Sequence, residues 1–402
     1  MLRSRQTDGL SRPIALQPFM KILTVRSTLP DMGPGTQPLT IARHMAAQGH
    51  ETVFATSGGA YAPVVEKAGF RVHYVPELAP DRHDFTGVSR GILSLARIIR
   101  TERPDVIHGH NAAATIFAYL AGWLGLGRAI PCATSVRGVE ERDTHQWRNG
   151  IWKRVPGILL GVCEKTRQRL LSFGCRPEKI RVTYNGIDTG RFDPSKHDGA
   201  AIRSDFGLLD KVVVGTIGAM TGPDDLDGPG KGQNDLVRAA HLLREDFPEL
   251  RVLLVGDGPL RHKVEQVVDE LDMGDRVVFA GRRFDTPELL AAMDIYALPS
   301  IHGEFFPNSI IEAMSFALPW VGSDIAGLSE LTANDDAGWV VAPGDYQALA
   351  ERLRPLVGDI ALRRRRGERG RREVEERFTI AKVSERILDG YRAAGMRLET
   401  SA

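Results

Sequence analysis

Short β-rich runs separated by longer helical stretches recur along almost the whole chain, in two series. The first comprises KILTVRS (21–27), ETVFATS (51–57), RVHYVPE (71–77), DVIHGH (105–110), IPCATSV (130–136) and IRVTYNG (180–186). Helical patterns such as TQPLTIARHMAAQGH (36–50) and GVSRGILSLARIIRTER (87–103) lie between them. The rhythm restarts with KVVVGTIGAM (211–220) and runs through RVLLVGDG (251–258), RVVFAGR (276–282), DIYALPS (294–300), PWVGSD (319–324) and GWVVAP (338–343). Strands bounded by helices at this spacing form βαβ units, with a parallel sheet covered on both faces. The polar stretch NGIDTGRFDPSKHDGA (185–200) separates the series and reads as a linker. The expected architecture is α/β: two tandem Rossmann-like, doubly wound parallel-sheet domains facing a cleft, over residues 20–190 and 191–378. Two such cores also suit 402 residues. Residues 1–19 are expected to be a disordered extension, without the apolar run of a secretory signal.

Composition narrows the class. The longest mostly apolar stretch, ATIFAYLAGWLGLG (114–127), is too short to span a bilayer and reads as a buried helix. Three cysteines, Cys132, Cys163 and Cys175, make no CxxC pair, which points to a reducing cytoplasm. The net charge of +1 conceals an asymmetry: residues 1–194 hold 26 Lys+Arg against 16 Asp+Glu, and the rest 26 against 35. A basic first half suits an anionic partner or surface, or else reflects charge scattered over two surfaces. No nucleic-acid partner is expected. HQWRNGIWKR (145–154) places Trp147 and Trp152 beside Arg148, Lys153 and Arg154. Either this segment contacts an anionic membrane interface, or its tryptophans anchor a helix to the core.

In open α/β sheets ligands sit outside the carboxyl ends of the strands, where the strand order switches. HGEFFPNSIIEAMSFALPW (302–320) follows one such strand. Ser309 and Glu312 fit a capping box, one reading of Glu312. Glu304 precedes the helix, in a glycine-containing loop, and has no such role. Free amides at the start of this helix make an anion site, and a flanking glutamate suits sugar hydroxyls. In GPGKGQNDLVRAA (228–240), Lys231 sits between glycines before a helix; it is no Walker A loop, yet can grip a diphosphate as a point charge. A plain loop lysine is the competing reading. Gly33 and Gly35, in PDMGPGTQPLTIA (30–42), would let backbone approach a ligand closely. His108 and His110 alternate on one strand, so only one is expected to face the cleft; His110, with Asn111, is the candidate acceptor contact, against a satisfied core histidine. LRRRRGERGRR (362–372) reads as a solvated helix face.

Glu304-x7-Glu312 followed by AMSFALPWVGSDIAGLSEL, with VGDGP (255–259), FAGR (279–282), Lys231-Gly232 and NGIDTGRF (185–192), closely resembles the retaining glycosyltransferases of the GT-B fold, specifically the large group 4. The resemblance runs from about residue 20 to about residue 395. It implies a nucleotide-diphosphate sugar bound mainly by the second domain, and an acceptor glycan, lipid or small molecule bound mainly by the first. The sugar donor is a co-substrate; no cofactor and no metal are implied. Glu312 would hold ribose hydroxyls, Glu304 would lie by the transferred sugar, and Phe306, Pro307, Asn308 and Ser309 would present the loop's amides. Lys231, with Gly232 and Arg282, would serve the donor, the lysine neutralising the leaving diphosphate. The last helix, TIAKVSERILDGYRAAG (379–395), would cross back onto the first domain.

Two departures stand out. Where family members carry an arginine after the first strand of the second domain, this chain has Ala219; where most have a histidine near the fifth strand of the first domain, it has Arg137. Arg137, with Arg26, is the expected substitute cation on the diphosphate; a weakened or specialised site is the alternative. Asp225-Leu226-Asp227 looks like the metal-binding DxD of the other glycosyltransferase fold, but reads here as a solvated acidic loop. A nucleotide-sugar 2-epimerase and a non-catalytic nucleotide-sugar sensor remain the competing functions. A dinucleotide-dependent dehydrogenase is disfavoured, since no GxGxxG follows the first strand of either domain.

Overall fold

The computed structural model describes residues 19–30, 36–82, 84–138, 146–223, 227–302, 304–325 and 327–396, with the main chain alone for 146–149. The first sheet contains β1 (Lys21–Val25), β2 (Glu51–Thr56), β3 (Arg71–Tyr74), β4 (Val106–Gly109), β5 (Cys132–Val136), β6 (Ile158–Gly161) and β7 (Ile180–Val182). They pair in the order β3-β2-β1-β4-β5-β6-β7, all parallel. Helices α1 (Thr36–Ala47), α2 (Ala62–Lys67), α3 (Phe85–Glu102), α4 (Ala112–Leu126), α5 (Gln146–Arg154) and α6 (Glu164–Ser172) lie between them.

The second sheet contains β8 (Val212–Ile217), β9 (Leu250–Val255), β10 (Val277–Gly281), β11 (Ile295–Leu298), β12 (Trp320–Ser323) and β13 (Gly338–Val341). Its order is β10-β9-β8-β11-β12-β13, again parallel. Its helices are α7 (Ala200–Asp205), α8 (Gln233–Leu243), α9 (Arg261–Glu270), α10 (Thr286–Ala291), α11 (Asn308–Ser315), α12 (Tyr346–Gly358) and α13 (Ile360–Arg377), and α14 (Ile380–Ala393) ends the described chain. The expected pair of Rossmann-like sheets is therefore present.

Alternation along each strand explains the layers, since successive side chains point to opposite faces. Leu23 joins Val53, Leu95, Ile107 and Phe117 under α3 and α4, while its neighbour Ile22 joins Ile41, Met45 and Leu160 on the other face. Val383, Ile387 and Tyr391 of α14 complete that second cluster, so the last helix lies against the first sheet. In the second sheet Val214, Val252 and Leu254 face α8 and α12, whereas Val213, Leu253 and Tyr296 face a cluster that also takes in Val162 and Cys163 at the end of β6. Apolar packing thus continues from one domain into the other.

One expectation fails in α13. Its arginine run is not a plain solvated face: Arg366 is only 8% exposed, lies 3.7 Å over the Trp339 ring and bonds the Asp335 carbonyl. A Cβ at Gly367 would overlap the Ala317 carbonyl oxygen, so this turn of helix packs against the end of α11. Arginine's weakly hydrated, flat guanidinium suits such stacking better than a lysine ammonium.

The strand order reverses twice, between β1 and β4 and between β8 and β11. Those two switch points are where a ligand belongs in sheets of this kind.

Candidate active site

At the second switch point, the connection after β8 returns to the sheet at Gly232. This glycine has φ +74°, and a Cβ on it would overlap the Pro299 carbonyl oxygen just after β11. Only glycine lets the turn sit that close. Lys231, one residue earlier, is thereby held over the end of β11, where its ammonium forms an ion pair with Glu304. The Glu304 side chain is only 7% exposed, and the Ser300 hydroxyl donates to the same oxygen at 3.4 Å. Residues 73 positions apart in the chain therefore meet at this switch point.

Helix α11 starts beside this pair. The capping box does not form: Pro307 takes the cap position with φ −72° and ψ 125°, no side chain caps the helix, and Asn308 is already helical. Proline fixes the extended entry, so Ser309 lies inside the first turn, where its hydroxyl bonds that of Tyr296. The first-turn amides are left without a side-chain acceptor and carry the positive end of the helix dipole. Glu312, freed from capping, lines a small cavity with Gln37, Gly186, Ile187, Asn308 and Ile311. Burial pushes its carboxyl up to about 7, with Arg191 pulling weakly the other way. Gln37 Oε1 and Asn308 Oδ1, on the same cavity, are buried without a partner among the described residues. This is a polar pocket whose hydrogen-bonding capacity is unspent.

The first domain reaches this loop directly. Asn185 accepts from Arg137 Nη1 and donates its amide to the Phe306 carbonyl at 2.7 Å. The Cys163 thiol contacts the Phe305 carbonyl at 3.5 Å, and a Cβ on Gly138 would lie 3.0 Å from the Phe305 ring. Glu330 completes the seam by accepting the Glu164 and Lys165 amides at 3.0 and 3.2 Å, a carboxylate from one domain on the amino end of a helix in the other. Sequence reasoning passed over Asn185, Cys163, Tyr296 and Glu330. Asn185 and Glu330 lie within the quoted NGIDTGRF and GLSEL stretches, which was the available signal.

At the first switch point the histidine alternation argument fails. β4 ends at Gly109, so His110 has left the pleat, and its ring stacks on His108 with centroids 4.3 Å apart and planes 20° apart. His108 shares hydrogen bonds with the Tyr391 and Ser135 hydroxyls, at 2.7 and 2.8 Å. Burial drives His108 down to about 3, and His110 far below its usual range, so both rings are neutral. Among the described residues His110 Nδ1 and Asn111 Oδ1 are buried without partners, while Asn111 donates to Ser27 Oγ at 2.7 Å.

The remaining candidates divide. Gly33, Gly35, Asp225 and the side chains of Trp147 and Arg148 fall outside the described residues. Trp152 packs on the cluster of Val155, Leu159 and Leu170, which favours the core-anchor reading. Phe306 is 3% exposed, its ring against Tyr184 and Phe378, so only its main chain serves the loop. Arg282 closes edge strand β10, three strands from β11, and stacks 5.4 Å over Phe284. Asp227 pairs with Arg238 at 2.7 Å. Among the described residues no group of three or more His, Cys, Asp or Glu is placed to hold a metal ion, and no helix is long and apolar enough to cross a membrane.

With this geometry in view, known proteins are informative. The family described as "Glycosyl transferases group 1" matches residues 211–359, and "Glycosyltransferase Family 4" matches residues 33–191. The N-acetyl-alpha-D-glucosaminyl L-malate synthase of Bacillus anthracis is 27% identical over 366 residues, 87% of this chain and 91% of its own. A solved glycosyltransferase from Rickettsia africae superposes with a TM-score of 0.81 at 20% identity, covering 93% of this chain and 98% of that one. HepE of Anabaena, crystallised with UDP, gives 0.79 at 21% identity over 93% and 100%. The family matches fall one on each sheet, and the solved neighbours share both sheets: the chain belongs to the group 1 and family 4 glycosyltransferases of the GT-B fold.

Proposed function

We propose that this glycosyltransferase is a retaining, metal-independent enzyme that moves a hexose-type sugar from a nucleotide-diphosphate sugar to an acceptor hydroxyl. The observation that carries the reading is the meeting of Lys231 and Glu304 at the second switch point, beside the uncapped amino end of α11. The donor's diphosphate is taken by Lys231 and by the amides around Asn308 and Ser309. The Glu312 carboxylate accepts the ribose hydroxyls, and UDP in the HepE crystal is in keeping with a nucleotide-diphosphate donor. Glu304 keeps the lysine in place and offers its second oxygen to the sugar.

The chemistry is a same-face substitution through a loosely bonded, oxocarbenium-like transition state. As the glycosidic C–O bond lengthens, negative charge grows on the diphosphate, where Lys231 and the helix amides stabilise it. The departing phosphate oxygen takes the acceptor's proton, so no separate protein base is needed. Such donors are worth about 10²–10³ in rate each.

The test is incubation with a panel of nucleotide sugars, following thermal stabilisation, nucleotide release and product configuration. Free nucleoside diphosphate and a product with the donor's anomeric configuration are expected, with turnover undiminished by chelator. Isomerised donor would signify an epimerase, binding without turnover a sensor. An inverted product would refute the mechanism.

A further inference from the structure

The carboxyl ends of β1, β4 and β5 gather positive charge that no carboxylate among the described residues neutralises. Arg26, directly after β1, donates from Nε to the Thr28 carbonyl at 2.8 Å and from Nη1 to the His110 carbonyl at 3.1 Å. Arg137, directly after β5, donates from Nη1 to Asn185. Among the described residues both guanidinium groups meet only neutral acceptors, and Arg137 Nε is buried with no acceptor. Burial lowers Arg26 to about 10; burial and the charge of Arg26 together lower Arg137 to about 9. Two cations that repel each other while partly stripped of water are costly to keep unless a ligand supplies the missing charge.

We infer that Arg26 and Arg137 form a subsite for a carboxylate or phosphate group carried by the acceptor, beside the hydroxyl that receives the sugar. The subsite rests on the transferase reading above and specifies its acceptor. It lies at the first domain's switch point, where a ligand of that domain belongs. The planar guanidinium fork matches a carboxylate or phosphate in two-pronged fashion. Next to it, the unpartnered His110 Nδ1 and Asn111 Oδ1 suit an alcohol. Both histidines are neutral and add no further positive charge; His108 spends both ring nitrogens on Tyr391 and Ser135, which leaves His110 to bond a hydroxyl. The acceptor class that fits is a molecule bearing an anion near a free hydroxyl: a hydroxy acid or a phosphorylated polyol. The donor's diphosphate is the other source of negative charge, but the proposed function gives it to Lys231 and the α11 amides of the second domain.

Calorimetric titration separates the two sources. The probes are glycerol 3-phosphate, uncharged glycerol, and the nucleoside diphosphate that stabilises the protein most in the donor panel. Wild type is expected to bind glycerol 3-phosphate at least about tenfold more tightly than glycerol. Arg26→Gln should erase that preference and leave nucleotide affinity within about twofold, and Arg26→Lys should restore part of it. In turnover assays the anionic acceptor's KM should rise about tenfold or more with the donor's unchanged. Equal binding of charged and uncharged glycerol by wild type would overturn the inference, even if Arg26→Gln failed to fold. Weakened nucleotide binding in Arg26→Gln, with glycerol 3-phosphate unaffected, would assign the arginines to the donor. Arg26-dependent glycerol 3-phosphate binding without any nucleotide binding would leave the subsite standing and sink the donor site instead.

Discussion

Replacing Glu312 by glutamine should change stability and ligand affinity in opposite directions. Burial moves this carboxyl from its ordinary 4.5 up to about 7. At about 1.4 kcal/mol per pH unit, the ionised form is disfavoured by on the order of 3 kcal/mol, less whatever solvent screening reaches a partly buried side chain. Between those two pH values the folded state holds a proton that the unfolded state has lost. For this group, then, stability is greatest below about pH 4.5, falls as pH rises to about 7, and stays low above it. Glutamine removes the charge. The ligand-free variant should therefore be more stable than its parent by about 1–3 kcal/mol at about pH 8, a margin that shrinks severalfold by about pH 5 and vanishes below about pH 4.5. Nucleotide binding should go the other way. Loss of charge-assisted bonds to two ribose hydroxyls costs about 1.5–3 kcal/mol, roughly 10- to 100-fold in Kd. Wild-type affinity should also decline as pH drops below about 7, and the variant's should stay flat. Urea unfolding from pH 5 to 8 reads the first effect and calorimetric nucleotide titration the second. A variant less stable than wild type at pH 8, or one with an unchanged affinity profile, would refute the reasoning.

Other perturbations probe separate parts of the site. Lys231→Ala should lower kcat/KM by about 10²–10³ while leaving the fold intact; near-parental turnover would remove the lysine from the reaction. Gly232→Ala should cost at least about 1–3 kcal/mol in unfolding free energy, because it combines a positive φ with a backbone overlap, and should slow turnover by displacing Lys231. Glu330→Ala, which removes the acceptor of two first-turn amides of α6 across the seam, should lower stability by about 0.5–2 kcal/mol by urea melt, with Glu330→Gln losing less because it keeps an acceptor.

Much of this was legible from local pattern. Parallel strands buried on both faces must read as apolar runs, and ligand-facing residues must follow them, so both sheets could be anticipated and Lys231 and the Glu304 loop stood out, though not their ion pair. Reasoning that assumed an element's end went wrong. Alternation would separate His108 from His110 only if the strand continued, and it stops at Gly109. The capping box needed Ser309 at the cap, but Pro307 started the helix earlier and released Glu312 into the cavity. Periodicity also could not show that Arg366 lies on Trp339, because that contact depends on where β13 passes α13.

The deeper limit is strand order. Arg26, His110 and Arg137 are scattered along the chain and converge because β1, β4 and β5 are neighbours; Lys231 and Glu304 converge because β8 and β11 are. In both domains the groups drawn together are those following strands on either side of the reversal. One cluster retains an internal counter-ion, Glu304 for Lys231, while the arginine cluster has none among the described residues. That difference has a chemical consequence. Lys231 already shares its charge with Glu304, which would soften the gain from a phosphate contact there. Among the described residues Arg26 and Arg137 would give up only neutral acceptors, so an anion arriving there would keep more of its Coulombic attraction. Discrimination between charged and uncharged ligands should accordingly be sharper in the first domain than in the second.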